Sequence, residues 1–162
     1  MEIERVIEAI LFSVSKPISI RKLREITGKQ KGEIISAIEK LKEEYKEHSF
    51  QIMEVAGGFR LYTKPEYSEY IKKISGDKKL KLSKSAMETL AIIAYKQPVS
   101  KPEISRIKKT SPEWTIKVLL EKGLIKPMGR LNVPGRPILY GTTQRFLEVF
   151  GLSSIDELPK PE

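Results

Sequence analysis

The sequence predicts an α+β, mostly helical protein made of two tandem winged-helix domains, each with three helices and a β-hairpin wing. Three observations predict it. Two stretches of similar length each run through three amphipathic segments into a pair of short alternating segments. Turn chemistry sits inside each pair, Gly57-Gly58 in the first and Pro134-Gly135-Arg136-Pro137 in the second. Between the two stretches lies SGDKKLK, residues 75–81, which is rich in lysine and poor in apolar residues, as a linker is. The expected boundaries are 1–75 for the first domain, 76–81 for the linker, 82–152 for the second domain and 153–162 for a C-terminal tail.

In the first domain, Ile3, Val6, Ile7, Ile10, Leu11 and Val14 recur at helical spacing with Glu2, Glu4, Arg5 and Glu8 opposite. Lys16-Pro17 ends that helix, because proline biases the residue before it away from helical angles. Ser19 caps a second helix through Thr27, and Gly28 closes it. A third helix is expected over 31–47 with the stripe Ile34, Ile38, Leu41 and Tyr45. Residues 50–55 and 59–63 alternate as two strands about Gly57-Gly58, and Pro65 starts a short helix carrying Tyr67, Tyr70, Ile71 and Ile74.

In the second domain, Ser83 caps a helix that has only Glu88 and Thr89 as strongly polar residues between Ala86 and Tyr95. Such a helix is expected to be buried on most sides. Gln97-Pro98 stops it. Ser100 and Ser111 are the expected caps of the next two helices, each followed by proline and then glutamate. Gly123 ends the third helix. Leu124, Ile125, Met128, Ile138, Leu139 and Tyr140 supply the strands, residues 130–137 the wing, and Phe146, Leu147, Phe150 and Leu152 a last short helix. Tyr95 and Phe146 are expected in the core.

The 162 residues include no cysteine and one histidine, His48. This excludes disulfides and thiolate metal sites, and no metal or cofactor is expected. No apolar run reaches the roughly 18 residues of a membrane span, and the acidic Glu2 and Glu4 leave no basic leader. A cytoplasmic protein is expected. Glu88 and Glu103 stand alone, with no acid pair, nucleophile–base arrangement or phosphate loop, so no catalytic residue, enzyme activity or small-molecule substrate is expected.

The net charge of +9 favours an anionic partner, and winged helices commonly place their third helix in the major groove. The competing reading is therefore a DNA-binding transcriptional regulator. The charge is in the wrong place for it. The first domain's third helix sets Lys31, Lys40, Lys42 and Lys46 against Glu33, Glu39, Glu43, Glu44 and Glu47; in the second, Glu113 and Glu121 balance Lys117 and Lys122. Acidic side chains there would meet phosphate repulsion. The excess lies at Arg21, Lys22 and Arg24, between Lys78 and Lys84, at Arg106, Lys108 and Lys109, and on the wing at Arg130 and Arg136. DNA is left as an indirect or weak, nonspecific partner.

The stretches METLAIIAYKQPV, LLEKGLI, VPGRPILYGTT and FLEVFGL, with the opening IEAILFSVSKPISIRKL, resemble the segregation and condensation protein B (ScpB) family over nearly the whole chain. The resemblance implies a non-enzymatic, tandem winged-helix homodimer that pairs mainly through its N-terminal domain. It implies binding to the kleisin ScpA, and through it to the Smc ATPase, in a condensin-like complex that condenses and segregates chromosomes at the nucleoid. One stretch departs from the family. Where it usually has Gly, an apolar residue and Asn before Ser, with a second Gly soon after, this chain has Lys109, Thr110, Ser111, Pro112 and Trp114.

The expected partner-binding residues are Gly135, Arg136, Pro137, Leu139, Tyr140 and Trp114. Gly135 permits positive φ, the prolines stiffen the wing, and Arg136 projects from it with a guanidinium suited to a carboxylate. Trp114, near a helix start, fits either the core or an interface. Ile3, Ile7 and Phe12 are expected to contribute to a dimer surface, because the first helix has apolar positions beyond one narrow stripe; core packing also fits Ile3 and Ile7.

Overall fold

The computed structural model describes residues 1–75 and 80–160. Most of the expected linker, 76–79, and residues 161–162 of the expected tail lie outside the described residues. The chain forms two compact units, one of Met1–Lys79 with Leu152–Glu162, the other of Leu80–Gly151.

The first unit contains α1 (Ile3–Ser13), α2 (Ile20–Thr27), α3 (Lys31–Glu44), β1 (Phe50–Val55), β2 (Gly58–Thr63) and α4 (Ser68–Ser75). Ile7 and Leu11 of α1 lie against Leu23 of α2 and Ile34, Ile38 and Leu41 of α3, and all six are almost completely buried. The Ser19 hydroxyl accepts from the Lys22 amide at 3.1 Å, and Gly28 takes the left-handed cap at φ 69°. A capping box that the sequence reading missed starts α3, with the Glu33 carboxylate accepting from the Gln30 amide at 2.9 Å. The α-helix stops at Glu44, three residues before the expected end, and residues Tyr45–Glu47 form a 3-10 turn. Lys64 donates to the carbonyls of Tyr45 and Lys46, satisfying groups that the helix end leaves open.

The hairpin turn is one residue earlier than expected. Ala56 and Gly57 are its two left-handed positions, at φ 52° and 74°, and Gly58 already pairs with Val55 in the ladder. Gly58 is needed for a different reason. Ile18 and Phe59 exchange backbone hydrogen bonds, Ile18 N–H to Phe59 O at 2.9 Å and Phe59 N–H to Ile18 O at 2.8 Å. A Cβ on Gly58 would sit 2.8 Å from the Ile18 backbone.

The expected C-terminal tail is built into the first unit. Ala56 N–H donates to Leu152 O at 2.8 Å, and the Ser153 hydroxyl donates to Glu54 O at 2.9 Å. Ile155–Glu157 form a 3-10 turn.

The second unit contains α5 (Lys84–Lys96), β3 (Val99–Ser100), α6 (Lys101–Lys108), α7 (Glu113–Glu121), β4 (Ile125–Arg130), β5 (Ile138–Thr142) and α8 (Gln144–Phe150). Its sheet has the order β3-β5-β4, antiparallel throughout. Helix, short strand, two helices and hairpin is the winged-helix order, and Ile18 holds the short strand's place in the first unit. Both units are winged helices.

Helix α5 departs from the expectation of burial on most sides. Leu90, Ile93, Ala86 and Ala94 face the core, but Met87 and Tyr95 are 42% and 45% exposed. Tyr95 is therefore not a core residue, whereas Phe146 is buried as expected. The polar Thr89 faces inward instead. Its hydroxyl lies 2.8 Å from that of Thr115 on α7 and 3.1 Å from Ser85 O, its single proton serving one of the two at a time. Both threonines are buried, and mutual hydrogen bonding avoids the roughly 1–3 kcal/mol that an unsatisfied buried hydroxyl costs.

Two predictions follow from the first unit. Gly58→Ala pushes a Cβ into the Ile18 backbone and is expected to destabilise the protein by about 1–3 kcal/mol, read as a lower urea midpoint. The second concerns Tyr45, whose hydroxyl donates to Glu8 Oε1 at 2.8 Å while Arg5 donates to Glu8 Oε2 at 2.7 Å. The bond from Tyr45, then that from Arg5, holds the Glu8 carboxyl below its ordinary range; burial, then the bond to Glu8, pushes the Tyr45 phenol up. The depressed Glu8 contributes stability in full above the ordinary Glu pKa of about 4.3 and loses it as pH falls through the lower folded value. The raised Tyr45 contributes in full below its ordinary pKa of about 10 and loses it as pH rises through the higher folded value. Tyr45→Phe is expected to move the Glu8 titration upward in carboxyl NMR and to reduce the stability lost as pH falls below the ordinary Glu value of about 4.3.

Candidate partner-binding groove

The wing and the starts of α6 and α7 enclose an open groove of about 520 Å³ in the second unit. Four of the expected partner-binding residues, Gly135, Arg136, Pro137 and Tyr140, line it together with Ile138 and Arg130. The opposite wall is Lys101, Pro102 and Ser105 of α6 with Ser111 and Pro112 ahead of α7. The lining is apolar at the prolines, Ile138 and Tyr140, cationic at Lys101, Arg130 and Arg136, and contains no acidic residue.

Strand pairing sets the geometry. Val99 pairs with Tyr140 and Ser100 with Leu139, so α6 begins directly beside the wing. The Ser100 hydroxyl accepts from the Glu103 amide at 3.4 Å, as the expected cap. The wing is held by its own backbone: Leu131 N–H donates to Pro137 O at 3.0 Å and Arg136 N–H to Val133 O at 2.9 Å. Arg130 Nη1 donates to Arg136 O at 2.9 Å. Gly135 has φ 85° and Arg136 φ 38°, so two successive residues occupy the left-handed side. No carboxylate of the described residues pairs with the Arg136 guanidinium.

The other candidates fall elsewhere. Tyr140 is 8% exposed and packs in the core while reaching the groove. Leu139, its neighbour on the opposite face of β5, is half-buried and does not line the groove. Trp114 is 70% exposed, so it is not a core residue, and it does not line the groove; Lys117 Nζ lies 5.7 Å from its ring centroid. In the first unit Ile7 is completely buried by its own domain and is withdrawn from the candidate dimer surface. Ile3 packs partly buried on the same core, and only Phe12, 86% exposed, projects freely.

The divergent segment beside the groove keeps the fold by other means. Lys109 takes the left-handed cap of α6 at φ 62°, with its N–H donating to Ser105 O at 2.8 Å. Ser111 does not cap α7 as expected. Pro112 occupies the cap position without a side-chain bond, and the Thr115 hydroxyl donates to the Pro112 carbonyl at 2.9 Å. Lys101 Nζ reaches Glu113 at 2.6 Å, and this bond holds the Glu113 carboxyl below its ordinary range. Lys108, counted with the surface charge in the sequence, turns inward to donate to Ser85 O at 2.7 Å and Thr89 Oγ1 at 2.9 Å.

The hallmark stretch after the wing is structural. A Cβ on Gly141 would collide with the Met128 side chain and crowd Gln97. Gln97 Oε1 accepts from the Thr142 amide at 2.9 Å, joining AYKQPV to YGTT. Thr143 caps α8 through the Phe146 amide at 3.2 Å and donates to Gly123 O at 2.6 Å.

The profile of the family described as "Segregation and condensation complex subunit ScpB" matches residues 5–161. The chain belongs to the ScpB family. A segregation and condensation protein B from Alkaliphilus oremlandii is 44% identical over 161 residues, covering 98% of this chain and 87% of that one. Its counterpart from Symbiobacterium thermophilum is 40% identical over 159 residues, covering 97% and 73%. A solved dimer of the ScpB N-terminal domain complexed with ScpA peptide is 27% identical, covering 44% of this chain and 91% of that one, with a TM-score of 0.42. Among the described residues of this ScpB chain, no helix is long and apolar enough to cross a membrane.

Lysine at position 109 occupies backbone space that suits glycine. Lys109→Gly is expected to raise stability by about 0.5–1 kcal/mol, seen as a higher urea midpoint with an unchanged slope.

Proposed function

We propose that this ScpB chain is a non-enzymatic adaptor of a condensin-like Smc–ScpA–ScpB complex, acting at the nucleoid in chromosome condensation and segregation. The observation that carries this reading is membership of the segregation and condensation family across residues 5–161. The first unit serves dimerisation and the second holds the kleisin ScpA, through which the chain meets the Smc ATPase heads. The residues around 76–81 join the two.

The groove supplies the physical mechanism for the second unit. An extended kleisin segment with apolar side chains would lie against Pro102, Pro112, Pro137 and Ile138, and its carboxylates would meet Arg130 and Arg136. The wing needs little ordering on binding, because its backbone bonds already fix it. The third helices are poor base readers. On α3, Lys42 pairs with Glu39 and Lys46 with Glu43, while Lys40 reaches Glu4 of α1.

Arg136→Ala is expected to weaken binding of the full chain to purified ScpA about tenfold, corresponding to loss of one charge-assisted contact of about 1.4 kcal/mol. Calorimetric titration checks it, beside a titration with duplex DNA at physiological salt. Unchanged ScpA affinity in the variant removes Arg136 from the contact. Tight, sequence-specific DNA binding without ScpA binding would overturn the adaptor reading in favour of a transcriptional regulator.

A further inference from the structure

The positive charge of the chain is not shared between its two units. Residues 80–151 hold thirteen lysines and arginines against five acids, which is all but one of the net +9; the remaining residues hold seventeen against sixteen. Within the second unit the charge is uneven again. From Lys122 to Leu147 there are five cations and no acid, and the wing is the middle of that stretch. Lys126, Arg130 and Arg136 are exposed, and among the described residues they form no ion pair. Arg130 gives one N–H to the Arg136 carbonyl and keeps the rest of its fork.

The groove does not account for this charge. In the β4–β5 register Arg130 pairs with Ile138 and Pro127 with Tyr140, whereas Lys126 pairs with Gly141 and Gly129 with Leu139. Neighbouring residues of a strand point to opposite faces. Lys126 therefore stands on the face of the hairpin away from Arg130, Ile138 and Tyr140, and it does not line the groove as they do. Cations flank the wing on both faces, and a segment seated in the groove meets only one of them. Between the flanks the tip, 131–135, is exposed throughout and uncharged.

The shape of this charge says what fits it. Duplex DNA carries one phosphate charge per about 1.7 Å of axis, and its minor groove, about 6 Å wide, sets a row of phosphates on either side of whatever enters it. A tip with cations on both flanks meets both rows at once. Leu131 and Val133, 36% and 47% exposed, give that tip the apolar character of minor-groove wedges. The wing is already held by its own backbone bonds, so little order is lost on contact. An anionic membrane is a plane and would meet the uncharged tip before either flank.

We propose that the wing of the second unit is a direct, phosphate-directed contact to duplex DNA, its tip at the minor groove and Lys126, Arg130 and Arg136 on the phosphates of the two walls. Arg130 and Arg136 are shared with the groove read above as the kleisin site. Lys126 is not, and it separates the two contacts.

Fluorescence anisotropy of a labelled duplex titrated with the full chain tests it, with circular dichroism as the check on folding. Three phosphate contacts give a slope of log affinity against log salt of about −2.7, so affinity is expected to rise about twentyfold from about 150 to about 50 mM salt. Lys126→Ala is expected to bring the slope to about −1.8 and to leave ScpA affinity unchanged, whereas Arg136→Ala weakens both. Lys31→Ala, in the first unit, is expected to leave the slope as it was. No DNA binding at about 50 mM salt overturns the inference and leaves the kleisin reading standing. DNA binding without ScpA binding overturns the kleisin reading and leaves the inference standing. A slope untouched by Lys126→Ala and Arg136→Ala, or lowered equally by Lys31→Ala, overturns the wing as the contact. Binding of duplex RNA or of phosphatidylglycerol vesicles in place of DNA overturns DNA as the ligand.

Discussion

One backbone pairing holds each unit together. In the first, Ile18 is bonded to Phe59; in the second, Val99 and Ser100 are bonded to Tyr140 and Leu139. The segment between the first two helices thereby becomes a third sheet partner of the wing. A two-stranded hairpin alone is marginally stable in water, and this extra pairing docks it on the helices. Other features depend on it. Gly58 lacks a side chain because the Ile18 backbone passes there. Tyr140 is buried although it lies on the wing, and α6 starts where its first turn faces Arg136.

The second unit is held together by a buried polar network. Thr89 and Thr115 link α5 to α7, Lys108 joins them from α6, and Thr115 also bonds the Pro112 carbonyl. Three helices thus meet at one fully bonded polar point inside an apolar core. Such a point is favourable only when every member has a partner, and no buried side-chain nitrogen or oxygen of the described residues lacks one. This point ties together the helices on either side of the segment with Lys109 and Pro112.

The two units divide their surfaces differently. The second presents a cationic groove with a pre-set wall, suited to an extended acidic segment. The first pairs much of its charge internally, Arg5 with Glu8 and Glu44 and the lysines of α3 with nearby glutamates, and leaves apolar side chains on α4 uncovered. Exposed pairs of this kind add little stability, but they neutralise the helix that a DNA reader would present to phosphate.

The sequence by itself determined the two winged-helix units, because helical periodicity, Ser19 and Ser83 caps and glycine stops are local and repeat over many residues. It also marked the wing, whose proline and glycine dictate backbone angles. The tertiary structure alone decided which residues face each other. The two-residue strand Val99–Ser100 is too short for any period, so the wall it builds from Lys101, Pro102 and Pro112 was not legible. Ile7 and Phe12 lie five residues apart on one apolar-rich helix, yet one is enclosed and the other exposed. Composition cannot separate them, because burial depends on where α3 packs. In the same way Tyr95 looked like core, but the structure leaves it half-exposed, while the position of α7 gives the buried Thr89 a hydroxyl to bond.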